Sequence, residues 1–124
     1  ATFLGGAPGI DESVFFHERS GSLLCTDLVF NVTKPATFGT RFFLTCVGCN
    51  ARFANSRVWR LLARDRAALS ASASGIFAWP FTRVVMGHGD VLAHDARERL
   101  HAALSVRVLA KDAPRLAAST IAER

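Results

Sequence analysis

The chain is 124 residues long, half of them hydrophobic and a fifth charged, which fits one globular domain with a real core and excludes a disordered chain. Its longest apolar run, Phe42 to Gly48, is far too short to cross a bilayer, and Ala1 to Gly9 has neither the basic start nor the apolar stretch of a secretory signal. The net charge is +5, with arginine supplying thirteen of the fifteen cations. No nucleic-acid-binding motif accompanies that charge, so a GC-rich coding sequence explains it better than a nucleic-acid partner.

Phe3 to Asp11, rich in Gly and Pro, reads as loop. Val14-Phe15-Phe16-His17 is a β-prone run, Arg19-Ser20-Gly21-Ser22 supplies a turn, and Leu23 to Phe30 comes next as a second strand, so a hairpin is expected here. The second strand is apolar almost throughout, as in strands covered on both faces. Thr33 to Thr40, with Pro35 and Gly39, reads as irregular, and Arg41 to Cys49 fits either a short buried helix or an apolar loop. A helix is expected from Asn55 to Ala63. Another is expected from Arg64 or Asp65 to Ala78, with Leu69, Ala73, Ile76 and Phe77 as its apolar stripe and Pro80 as its stop. Arg83 to Met86 reads as a short buried strand running into Gly87-His88-Gly89. A last helix begins near Asp95, where Asp95 and Glu98 have capping-box spacing and Ala96, Leu100, Ala103 and Leu104 form the buried face. The tail after Lys111 reads as frayed. The order hairpin, helices, strand, helix indicates an α/β or α+β layered domain.

Three cysteines, an odd number, argue against a disulfide framework and for a reducing cytoplasm. Cys46-Val47-Gly48-Cys49 has redox or zinc spacing, and Cys25 with one His completes a zinc set on paper. The CxxC pair lacks the strand-to-helix context of a redox motif, which favours buried apolar thiols. Arg52, Arg57, Arg60, Arg64 and Arg66 form a basic segment, with Arg57, Arg60 and Arg64 on one helix face. It reads as a solvated face, or as the rim of a pocket for a small anionic ligand or an acidic partner. His17, His94 and His101 read as surface or packed histidines.

Two residues carry more. Asp27 comes after an apolar strand and reads either as a turn-capping carboxylate or as a metal ligand at a sheet edge. His88, between two glycines at the end of a β-branched strand, presents an uncrowded imidazole and reads either as a turn residue or as a ligand. The stretch from Phe16 to Asn31 resembles the hairpin in the C-terminal half of the metallo-β-lactamase fold. Arg64-Asp65-Arg66, the helix through Trp79, and Phe81 to Gly89 resemble the elements that come after that hairpin in the fold. The resemblance is strongest to a group of uncharacterised bacterial proteins related to that superfamily and spans roughly residues 5 to 105.

The resemblance implies part of an αββα layered fold, with Asp27 in the place of the carboxylate that bridges two metal ions and His88 in the place of a late histidine ligand. Zinc or another divalent metal is then the cofactor, weakly bound if bound at all. The HxHxDH cluster of the superfamily is missing, and no His-x-His occurs anywhere in the chain. The expectation is a metallo-β-lactamase-like protein with an incomplete metal site and little or no catalysis by this chain. Two alternatives stand beside it. One is a non-catalytic half-domain that forms a homodimer or docks on an N-terminal partner polypeptide. The other is a metal-dependent hydrolase whose remaining ligands lie upstream, for which the absence of an initial Met leaves room.

Overall fold

The computed structural model describes residues 1–111, and the tail expected to fray after Lys111 lies outside the described residues. The described residues are mixed α/β, with four α-helices and two small sheets. The expected hairpin forms from β2 (Ser13–His17) and β3 (Ser22–Leu24), turned by a 3-10 segment, Glu18–Ser20. Gly21 closes that turn in the left-handed region, at φ 62°. A short strand that the sequence pattern did not show, β1 (Thr2–Phe3), pairs antiparallel with β2. The late strand β6 (Arg83–Val85) pairs parallel with β3, giving the sheet order β1-β2-β3-β6.

The second hairpin strand is shorter than its apolar composition suggests. It ends at Leu24, and the chain turns through residues 25–29 before β4 (Phe30–Asn31) begins a separate sheet with β5 (Phe53–Ala54). Nor is β3 covered on both faces. Leu23 is fully buried, whereas Leu24 is 38% exposed. One face of the larger sheet, carrying Val14, Leu23 and Val84, joins a core with Leu69, Ala73, Leu100 and Leu104. On the opposite face the register sets Phe15, Leu24 and Val85 side by side across three strands. Phe3 shares that face and is 56% exposed; Phe15 is 52% exposed.

Most of the ambiguous segment 41–49 is helical, in α1 (Phe38–Val47), which starts earlier than expected and buries only Leu44. Thr37 caps it by accepting the Thr40 N–H, and Gly48 ends it at φ 81°. The helix expected from Asn55 to Ala63 is shorter, α2 (Val58–Leu62), because its first residues are already used. Ala54 belongs to β5, and Asn55 donates its side-chain amide to the Leu28 carbonyl at 2.7 Å. With α2 ending at Leu62, Arg64 does not continue the face of Arg57 and Arg60.

The helix expected to reach Ala78 is α3 (Arg66–Gly75), which leads into a 3-10 turn, Ile76–Ala78. Asp65 caps α3 through the Ala68 N–H. Leu69, Ala73 and Ile76 are buried as the stripe requires. The last helix, α4 (Ala96–Ser105), buries Ala96, Leu100 and Leu104, but no capping box forms at its start. Asp95 sits in the left-handed region at φ 49°, where its side chain makes no cap, and only its carbonyl engages, accepting the Arg99 N–H at 2.9 Å. Among the described residues, no helix is long and apolar enough to cross a membrane.

Gly89, beside His88, adopts φ 110°, and a Cβ there would collide with the Asn31 carbonyl. Gly89→Ala is expected to lower stability by about 2–3 kcal/mol. At Gly75, a Cβ meets nothing within 4 Å, so Gly75→Ala should raise stability by about 0.5–1 kcal/mol. Urea unfolding midpoints of the two variants check both signs.

Candidate functional site

Because β3 and β6 run parallel with Leu24 opposite Val85, residues equally far beyond that pair leave the sheet at the same edge. Asp27 and His88 each lie three positions on. The carboxyl ends of parallel strands are where α/β proteins place their ligands. Here they bring the two side chains into direct contact, with His88 Nε2 2.8 Å from Asp27 Oδ1. A carboxylate only accepts, so the imidazole donates through Nε2 and leaves Nδ1 unprotonated in the neutral ring. Both side chains are about half exposed.

The loop carrying Asp27 is fixed by a residue that sequence reasoning missed. Glu12 is fully buried. Its two oxygens accept the Thr26 N–H at 2.8 Å, the Thr26 hydroxyl at 2.6 Å and the Asp27 N–H at 3.0 Å. A group that only accepts, from three donors, is acting as a carboxylate. The Asp27 carbonyl in turn accepts the Trp59 indole N–H at 2.9 Å. With both backbone groups satisfied, the Asp27 side chain is left to His88. The only sequence cue for Glu12 is its place between a Gly/Pro loop and a β-prone run. Nothing in that pattern marks a carboxylate for burial.

His88 is held as firmly. Its carbonyl accepts the Asn31 N–H at 2.9 Å, and its ring stacks on Phe30 with centroids 4.7 Å apart and planes 8° from parallel. The nearby Asp90 exchanges two hydrogen bonds with Asn31. Gly87 backs directly onto Thr26, whose carbonyl accepts the Gly87 N–H at 3.3 Å. The Gly-His-Gly turn is therefore zipped along residues 26–31, and small residues are needed at both glycines for that approach. Beside the pair lies an apolar pocket of about 440 Å³, lined by Asp27 with Ile10, Phe30, Phe43, Trp59 and Leu62. Phe30 thus serves both the imidazole and the pocket wall.

The other candidates do not join this edge. His17 is exposed and bonded to Ser20, His94 is exposed, and His101 packs edge-on against Phe77. Of the CxxC pair, Cys49 is buried as expected, whereas Cys46 is exposed; all three cysteines are free thiols. Burial, reinforced by the nearby Glu12 charge, pushes the Cys25 thiol from an ordinary value near 9 up to about 12, so Cys25 is a neutral core thiol. Among the described residues, no three of His, Cys, Asp and Glu gather as a metal-binding group, and the zinc set drawn from Cys46, Cys49, Cys25 and a histidine does not assemble.

Two donors do not fit a catalytic zinc, which takes about three protein ligands and a water. The pair fits a partial site. Two ligands on one tetrahedral ion stand roughly 3.4 Å apart, slightly wider than the hydrogen bond observed. Compared with known proteins, the chain matches no family model, no curated protein and no solved structure.

Glu12→Ala removes both buried acceptor oxygens and leaves three donors unpaired. It is expected to destabilise the fold by about 3 kcal/mol and to release Asp27 from His88. A shift of the His88 ring resonances towards those of Asp27→Ala, alongside a lowered urea midpoint, is the readout. Unchanged resonances in a folded Glu12→Ala protein would separate Glu12 from the site.

Proposed function

We propose that this chain is a metallo-β-lactamase-like protein with an incomplete metal site, in which Asp27 and His88 are two retained metal-ligand positions and the chain alone has little or no hydrolytic activity. The observation that carries the reading is the Asp27–His88 contact at the shared end of the parallel strands β3 and β6. A bound divalent cation would supply Lewis acidity at that edge. What the chain's own residues do is narrower. Glu12 and Trp59 hold the Asp27 backbone, Phe30 holds the imidazole plane, and an apolar pocket opens beside the carboxylate.

Two ligands supply about half the binding free energy of a four-ligand zinc site, or roughly 5–8 kcal/mol, which corresponds to a Kd on the order of micromolar to submillimolar. Calorimetric titration with zinc and with manganese is expected to show such weak binding, lost in Asp27→Ala and in His88→Ala. Assays on generic esters and phosphodiesters are expected to stay at background with either metal. Metal-dependent turnover abolished by Asp27→Ala would overturn the non-catalytic reading, and metal binding indifferent to both substitutions would overturn the site.

A second reading, a half-domain that assembles with another polypeptide, is favoured by a different observation. Helices cover one face of the four-stranded sheet, while Phe3, Phe15 and Leu24 stand exposed on the other in a register that aligns Phe15, Leu24 and Val85. In an αββα arrangement that face meets a second sheet. A second copy of this chain offers the same flat apolar row by two-fold symmetry. Light scattering across a concentration series is expected to report a dimer, and Phe15→Lys a monomer. A wild-type monomer at every concentration would rule this reading out.

A further inference from the structure

Among the described residues, a gathering of arginines lies where the end of α1 meets the end of α4. Arg52 donates from Nε and Nη2 to the Gly48 carbonyl, at 3.1 and 2.9 Å. Arg107, just beyond α4, donates from Nη1 to the Asn55 carbonyl at 2.6 Å. Arg57 and Arg107 both press on Gly48: a Cβ built there would stand 3.1 Å from Arg57 Nε and 3.1 Å from Arg107 Nη2. Burial lowers the Arg107 pKa, and the like charges of Arg57, Arg52 and Arg60 lower it further against the opposing effect of Cys49. Four guanidiniums thus share one neighbourhood. Among the described residues none of them has a carboxylate in ion-pair range, the ion pair that does form being His88 with Asp27.

A pocket of about 340 Å³ opens beside this cluster, lined by Arg52, Arg99 and Arg107 with Phe53, Ala103 and Val106, and with no acidic residue in its wall among the described residues. The Arg99 guanidinium lies 5.6 Å from the centre of the Phe53 ring, whose face steadies it at the rim. Arg52 and Arg107 are pinned at one edge by backbone carbonyls and retain further N–H groups to donate. Three positioned guanidinium forks match a group with two negative charges and three acceptor oxygens better than they match a single carboxylate. The volume exceeds that of a bare phosphate and falls in the range of small-molecule sites.

We infer that this pocket binds a small phosphate monoester, with Arg52, Arg99 and Arg107 taking the phosphoryl group and Ala103 and Val106 facing the body of the ligand. Its wall shares no residue with the pocket at the Asp27–His88 edge.

The test is calorimetry on the full chain at low ionic strength, with phenyl phosphate and inorganic phosphate as probes. The expected result is saturable one-to-one binding of phenyl phosphate. Arg52→Gln and Arg99→Gln should each weaken it about tenfold, the loss of one charge-assisted fork. Arg19→Gln, at the hairpin turn, and Asp27→Ala should leave it unchanged. Arg99→Gln keeps the test decisive if Arg52→Gln misfolds, since the Arg99 side chain is exposed and stacks only on Phe53. Inorganic phosphate bound as tightly as phenyl phosphate would keep the site and make the free ion its ligand. Absence of saturable binding at millimolar probe would overturn the inference, as would an equal loss in Arg19→Gln, which would reduce it to general charge attraction.

Discussion

Glu12 is the point on which the arrangement turns. A buried carboxylate is costly unless its lone pairs are met, and here three donors from two consecutive residues meet them. These bonds hold Thr26 and Asp27 in a turn just beyond β3, which ends at Leu24 although the sequence pattern carried the strand on to Phe30. The chain passes through that turn, which exposes Asp27, and is then redirected into β4. From there Leu28 meets Asn55, Asp27 meets Trp59, and the second sheet closes through Phe53 and Ala54. The same residue reaches the other way, since the Glu12 carbonyl accepts the Leu4 N–H and so ties β1 to β2. One side chain and its own backbone thereby connect both sheets and the candidate site.

The chemistry of the molecule is divided between two regions of opposite character. The Asp27–His88 edge is small, contains one carboxylate and one imidazole, and borders an apolar pocket. The region around Gly48 is cationic and crowded. The pockets beside the two regions share no lining residue.

Periodicity made the large elements legible. The hairpin between Val14 and Leu24, the stripe Leu69, Ala73 and Ile76, the strand at Arg83 to Val85 and the buried line of α4 all come from apolar spacing, and such spacing survives tertiary packing. What it could not show was set by contacts between distant residues. The turn beyond Leu24 is held by Glu12, the delayed start of α2 depends on β5 and Asn55, and the absent capping box on the left-handed Asp95. β1, β4 and β5 are two residues each, too short for any alternation to register. At the site, Asp27 and His88 were legible because each ends an apolar run before a turn. Phe30, Trp59 and Glu12 were not, since stacking, an indole bond and burial leave no local mark. Arg107 escaped notice for the same reason, being far in sequence from the arginines it joins.

The parallel pairing of β3 with β6 has a kinetic side. Ser22 meets Arg83, and Asp27 meets His88, across a separation of 61 residues that includes α1, α2 and α3. Closing a loop of that length costs about 3.6 kcal/mol of chain entropy beyond a constant, before any contact offsets it. The β2–β3 hairpin closes through a turn of a few residues and carries no such penalty. Formation of the chain's native order is thus expected to run from hairpin and helices to the β3–β6 ladder, with the Asp27–His88 edge arriving last. A partly folded molecule has the hairpin but no site, and the imidazole of His88 reports on the completed fold rather than on any one element of it.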